Sequence, residues 1–186
     1  PRPESVRSGR RIEQLVETPK PQAKPIKLKP GALPGAVRAE MPARIEPQLA
    51  IQTPNPPDGK DWLHEIKQDG YRMQARVDGG KVKLLTRTGL DWTKRFPTIV
   101  KALEQLPVSS ALIDGELVAQ EKSGISTFTA LQSDLREGRR DRLGYFVFDL
   151  IYCEGVNLLG VPLTKRKEAL EELCQSLPDA SPIRYS

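Results

Sequence analysis

From residue 60 onward, apolar and polar positions alternate in short runs, and turn residues separate the runs. A period of two predicts strands over residues 62–67, 71–77, 82–86, 111–119 and 145–152, with the second and third joined as a hairpin through Asp78-Gly79-Gly80. The run 145–152 is the most continuously apolar, which predicts a central strand buried on both faces. Helical spacing occurs in three places. Pro97 opens the first, with Ile99, Leu103 and Leu106 on one side. Ser126 opens a second that reaches about Arg136, and Thr164 caps a third in which Leu170, Leu173, Cys174 and Leu177 stand at i, i+3, i+4 and i+7. The predicted class is α+β, with largely antiparallel sheets and flanking helices.

Residues 1–50 break this pattern. They hold nine prolines, no aromatic residue, and ten Lys or Arg against five acids, so they account for the whole net charge of +5. Such a stretch buries too little apolar area to offset the entropy of ordering it. A disordered, basic, Pro-rich linker is therefore expected over 1–50, and a folded, electrically balanced unit over 51–186. The basic charge would hold a polyanion by counterion release, in a salt-dependent manner. A plain tether between domains is the other reading.

Other classes fall away on composition. No apolar run approaches the roughly 20 residues of a bilayer-spanning helix, so no membrane association is expected and the cytoplasm is the expected location. Two cysteines, Cys153 and Cys174, and a single histidine, His64, cannot supply a zinc-finger ligand set or a two-histidine metalloprotease helix. The cysteines read as small buried hydrophobes, and Trp62 and Trp92 as packing residues. The stretch 136–142, with four arginines, reads as a solvated loop, or alternatively as a contact to DNA phosphates.

Candidate chemistry centres on Lys67-Gln68-Asp69-Gly70-Tyr71-Arg72. Alone, it describes a surface lysine and arginine flanking a tight Asp-Gly turn. Three further pieces follow in order: Thr86-Arg87-Thr88-Gly89, Asp114-Gly115-Glu116 and Phe146-Val147-Phe148-Asp149. Together they resemble the early motifs of the covalent nucleotidyltransferases, which include ATP-dependent DNA ligases, RNA ligases and capping guanylyltransferases. Asp58-Gly59-Lys60-Asp61-Trp62-Leu63-His64-Glu65, Leu90-Asp91-Trp92-Thr93 and Gly138-Arg139-Arg140-Asp141-Arg142-Leu143 narrow the resemblance to the ligase domain of the bacterial end-joining DNA ligases. It spans about residues 54–177.

That resemblance implies the N-terminal portion of an ATP-grasp-like adenylation domain over 51–186, without the family's later metal-binding glutamate and paired-lysine motifs or its OB-fold. It implies that Lys67 attacks the α-phosphorus of ATP, that Arg72 and Glu116 hold the ribose, and that Arg87 contacts the nucleotide or the nick phosphate. Phe148 would stack on adenine, backbone groups of Glu65 and Ile66 would read its edge, and Mg2+ or Mn2+, with Asp69 as a candidate ligand, would neutralise phosphate charge. The implied substrate is nicked or broken double-stranded DNA at the bacterial nucleoid, with the end-binding Ku protein and fused polymerase or phosphoesterase domains as partners. By themselves the residues leave other readings open: Phe148 as core, Glu116 on an exposed strand face, Arg87 at a hairpin end. An RNA ligase or capping enzyme shares the same motifs, and a non-catalytic nucleic-acid-binding module would use the basic tail alone. A lysine amine attacks phosphorus only when neutral, and its ordinary pKa of roughly 10.4 leaves little neutral at pH 7. A partly desolvated position for Lys67 is therefore expected.

Overall fold

The computed structural model describes residues 27–120 and 126–186. A seven-stranded sheet is built from β1 (Val37–Arg38), β2 (Tyr71–Asp78), β3 (Lys81–Thr86), β4 (Ser110–Ala119), β5 (Leu143–Cys153), β6 (Val156–Asn157) and β7 (Ile183–Tyr185). Its order is β1-β6-β5-β4-β2-β3, with β7 added alongside β5. Every pairing is antiparallel except β5 with β7. Among the described residues three α-helices complete the α+β architecture: α1 (Pro97–Leu103), α2 (Phe128–Arg136) and α3 (Leu163–Gln175).

Alternation assigns the two faces. Met73, Ala75 and Val77 of β2, Ile113 and Leu117 of β4, and Tyr145, Val147 and Leu150 of β5 point to one side, where they form a single core with Ile99 and Leu103 of α1 and Leu170 and Leu173 of α3. The residues between them face the other way, and there the chain supplies a second, smaller cover. Met41 and Ile45 pack on Leu112, Ile151 and Tyr152, Gln74 exchanges two hydrogen bonds with the Ile45 backbone at 3.1 and 2.6 Å, and the Tyr152 hydroxyl donates to the Ala39 carbonyl at 3.0 Å.

Gly115 and Gly70 mark close approaches around β4. The phenol of Tyr145 crosses beneath β4 to donate to the carbonyls of Met73 (2.8 Å) and Ile113 (3.3 Å), and a Cβ at Gly115 would stand 2.7 Å from its ring. Burial pushes the Tyr145 phenol well above its ordinary pKa, so it stays a donor. At Gly70 a Cβ would stand 2.1 Å from the Leu117 carbonyl. This glycine serves contact with β4, where the Asp-Gly pair alone suggests a turn.

The hairpin, α1, β4 and β5 lie where the sequence pattern predicts them, and Cys153 is buried. Four expectations are corrected. Residues 62–67 form no strand: both edges of β2 are occupied, by β3 and β4, so the preceding segment has no ladder to join there. Its alternating apolar residues consequently lie open, with Trp62, Leu63 and Ile66 all exposed, and only Trp92 of the two tryptophans packs, edge-on to Tyr71 with centroids 5.1 Å apart. The second helix starts at Phe128, because the Thr127 side chain rather than Ser126 caps it, accepting from the Ala130 amide. The third starts at Leu163, behind Pro162, so Thr164 lies inside the first turn and is not its cap. Of the linker expected over 1–50, residues 1–26 lie outside the described residues, while 27–50 run along the folded unit through the contacts just given and the β1–β6 pair.

Gly115→Ala is expected to lower the stability of the protein carrying this chain by about 1–3 kcal/mol, because the Tyr145 ring has no room to retreat. Urea unfolding measures it; an unchanged midpoint would contradict the packing described.

Candidate active site

The polar face of the sheet gathers the separate motifs by register. Arg72 of β2 pairs with Glu116 of β4, Glu116 pairs in turn with Phe146 of β5, and Gln74 pairs with Asp114. Between Gly115–Val147 and Asp114–Asp149 the β4–β5 ladder slips by one residue. This bulge inserts Phe148 as an extra residue, bringing both Phe148 and Asp149 toward the polar face.

Arg72 is the hub of that face. Its Nε and Nη2 donate to the two carboxylate oxygens of Asp114 at 3.2 and 2.8 Å, and Nη1 donates to the Gln48 carbonyl at 3.0 Å. The guanidinium carbon lies 5.0 Å from the centroid of the half-buried Phe148 ring, a cation–π distance. Asp114 is only 3% exposed. Burial pushes its carboxyl up, against the pull of Arg72. Burial likewise pushes the Glu116 carboxyl up, offset in part by the Gly70 amide and by the charges of Arg72 and Lys67.

Lys67 itself is exposed, which corrects the expectation of a partly desolvated amine. The reason is local: residues 61–69 carry no ladder, and a few side chains hold the segment. Gln68 accepts from the Ser126 hydroxyl at 3.0 Å. Asp69 accepts from the Phe128 amide at 2.9 Å, setting a carboxylate against the first turn of α2. Glu65 accepts from Lys167 of α3, and Ile66 is exposed. Asp69 thus serves α2 here, and among the described residues no three His, Cys, Asp or Glu side chains come together as a metal site. Arg87 stands one residue beyond the last β2–β3 pair, Met73 with Thr86; its carbonyl accepts from Arg44 at 2.8 Å and its side chain is exposed.

Several contributors escaped the sequence reading. Arg166 of α3 grips Asp149 through two hydrogen bonds of 2.7 and 3.0 Å, and Lys167 beside it reaches the Phe148 carbonyl at 3.4 Å. The available signal was Lys167's place three residues before the core residue Leu170. A lysine on the apolar side of a helix needs a partner. A second miss is the stretch 136–142, which is not a freely solvated loop. Asp134, 1% exposed, accepts from Arg139 at 2.8 Å and from Arg142 at 2.6 and 3.0 Å, so the arginines fold back onto the end of α2. A cavity of about 630 Å³ between the end of α3 and β7 includes Cys174, Leu177, Ile183 and Tyr185 and none of the predicted site residues.

This fold resembles that of solved ligase domains. The ligase domain of LigD from M. tuberculosis superposes with a TM-score of 0.55 at 31% identity, covering 66% of this chain and 38% of that one. A mycobacterial DNA ligase D complexed with ATP and MES superposes with a TM-score of 0.54 at 31% identity, covering 65% and 38%. The class is a ligase-type nucleotidyltransferase domain. More particularly, residues 47–185 match the ATP dependent DNA ligase domain, and the chain belongs to that family. It is 41% identical over 186 residues to the multifunctional non-homologous end joining protein LigD of Pseudomonas aeruginosa, covering the whole of this chain and 21% of that protein. It is also 32% identical over 143 residues to a DNA ligase of Methanocaldococcus jannaschii, covering 69% and 25%. The chain therefore spans about a fifth to a quarter of these relatives. Among the described residues no helix is long and apolar enough to cross a membrane.

Arg142 and Arg139 hold the Asp134 carboxyl below its usual range, Arg142 more strongly, against the upward pull of burial. A carboxyl depressed in the folded state contributes stability that is complete above its unfolded pKa of roughly 4 and is lost as pH falls through the folded value. Asp134→Asn is therefore expected to destabilise at pH 7, with the gap to the unmodified protein closing toward pH 2. Unfolding free energies across that range measure it, and a pH-independent gap would contradict this role.

Proposed function

We propose that the chain is the N-terminal part of the adenylating domain of an ATP-dependent DNA ligase that seals broken DNA in end joining, with Lys67 as the nucleophile. The observation that carries this reading is the assembly of Arg72, Asp114, Glu116 and Phe148 on one sheet face, with Lys67 five residues ahead of Arg72 in the segment leading into β2. A planar base needs an aromatic platform, a ribose needs hydrogen-bonding groups with fixed positions, and a nucleotide phosphate needs an amine beside it.

In the first step Lys67 gives up a proton and its Nζ attacks the α-phosphorus of ATP. An N–P bond forms, the α–β phosphoanhydride breaks, and pyrophosphate leaves. In the second, an oxygen of a DNA 5′-phosphate attacks the same phosphorus, the N–P bond breaks, and AMP passes to the DNA as Lys67 regains a proton. In the third, an adjacent 3′-hydroxyl attacks the activated phosphate and AMP leaves. Phe148 would orient adenine and Arg72 and Glu116 the ribose, and Arg87 would contact the nucleotide or the nick phosphate. Glu65 and Ile66 would present backbone groups to the base edge. Mg2+ or Mn2+ bound with the nucleotide would neutralise charge on its phosphates. The names of the relatives support end joining and fused activities as the setting, and nicked or broken duplex DNA as the substrate. The end-binding Ku protein is the proposed partner.

An RNA ligase or capping enzyme would use the same lysine chemistry; the DNA ligase family match favours DNA. In the full-length protein, Lys67→Ala is expected to abolish label transfer from α-labelled ATP and sealing of nicked DNA, a loss on the order of 10³-fold or more. Sealing at an undiminished rate would overturn the reading, as would preferential sealing of nicked RNA.

A further inference from the structure

Lys167 is 9% exposed, an amine taken out of water on the core side of α3. A buried ammonium is tolerated only where acceptors replace its hydration. Its acceptors are the Glu65 carboxylate, the Phe148 carbonyl at 3.4 Å and the Ser186 carbonyl at 2.7 Å, and the Tyr185 ring centroid lies 5.1 Å away. Two of these belong to the site. Glu65 stands two residues before Lys67, on a segment with no ladder to fix it, and Phe148 is the bulged residue of β5. One buried amine therefore joins the loop that carries the nucleophile to the strand that carries the aromatic ring. The two other side chains that hold the loop, Gln68 and Asp69, both tie it to the start of α2 instead.

We propose that Lys167 is a positioning residue for adenylation, acting through Glu65 to hold the Lys67 amine on the Phe148 side of the sheet. The inference rests on the assignment of Lys67 as nucleophile. Its physical content is orientation: without the bridge the 61–69 segment keeps only its ties to α2, and Lys67 samples positions away from the α-phosphorus. A displacement of about 1 Å at a reacting group can cost on the order of 10²-fold in rate.

A helix-to-sheet staple with no catalytic consequence would look the same in a static structure, and kinetics separates the two. Single-turnover self-adenylation of the full-length protein is measured against ATP concentration for Lys167→Gln, Lys167→Arg, Glu65→Gln and the Lys167→Gln/Glu65→Gln double variant, with thermal unfolding in parallel. Lys167→Gln and Glu65→Gln are each expected to slow adenylation at saturating ATP roughly 10- to 100-fold, with half-saturation moved less than about threefold. The double variant is expected to be no slower than Lys167→Gln alone, because both remove one bridge, and Lys167→Arg to recover most of the rate. Singles that keep the full rate while folded would overturn the proposal, as would losses that multiply in the double or an arginine no better than glutamine. If Lys167→Gln does not fold, Glu65→Gln, on the more exposed partner, decides alone. Residual adenylation in Lys67→Ala, measured alongside, would instead overturn the nucleophile assignment.

Discussion

The ion pair between Arg72 and Asp114 is the interaction on which the polar face depends. Two charges on neighbouring strands are largely withdrawn from water, and only their bidentate geometry and additional hydrogen bonds compensate. Burial drives the Asp114 carboxyl toward its neutral form and Arg72 opposes this, so the carboxylate depends on the guanidinium for its charge. Once fixed, the guanidinium has little freedom. It lies over Phe148, takes the Gln48 carbonyl, and sets its charge beside Glu116. The segment covering the sheet, the aromatic ring and the second carboxylate are therefore positioned through one side chain.

Backbone geometry makes the rest of the face possible. The β4–β5 slip inserts Phe148, and Arg166 and Lys167 of α3 then hold the displaced strand at the Asp149 carboxylate and the Phe148 carbonyl. On the opposite side Gly115 admits the Tyr145 ring, whose hydroxyl links β5 to carbonyls of β4 and β2. The three strands carrying the site are thus fastened from both faces. The segment that carries Lys67 is different: side-chain contacts hold it where a ladder holds the strands, which leaves Lys67 exposed.

Alternation of apolar residues made β2 to β5 and α1 legible in the sequence, because each of these elements has one side in a common core. The same signal failed over residues 62–67, since a local pattern cannot reveal that both edges of β2 are already taken. The cover from Ala39 to Gln48 was hidden for a related reason. Its proline content resembles that of a tether, while its order comes from distant partners: Gln74, Tyr152 and Arg72. Among the site residues, Arg72, Glu116 and Phe148 were legible as types and share the polar face. Their connections were not, because Arg72 and Asp114 are 42 residues apart and only the β2–β4 register makes them neighbours. Asp69 shows the opposite case, a residue with evident chemical potential whose carboxylate is engaged by a helix amide.

The most direct test of the central claim is mass spectrometry of the full-length protein after incubation with ATP and no DNA, followed by peptide mapping under conditions that preserve phosphoramidates. A single adenylyl group on the peptide containing Lys67, discharged when nicked DNA is added, is the predicted result. An adenylyl group on another residue, or sealing that proceeds with no adenylated protein at any time, would contradict it.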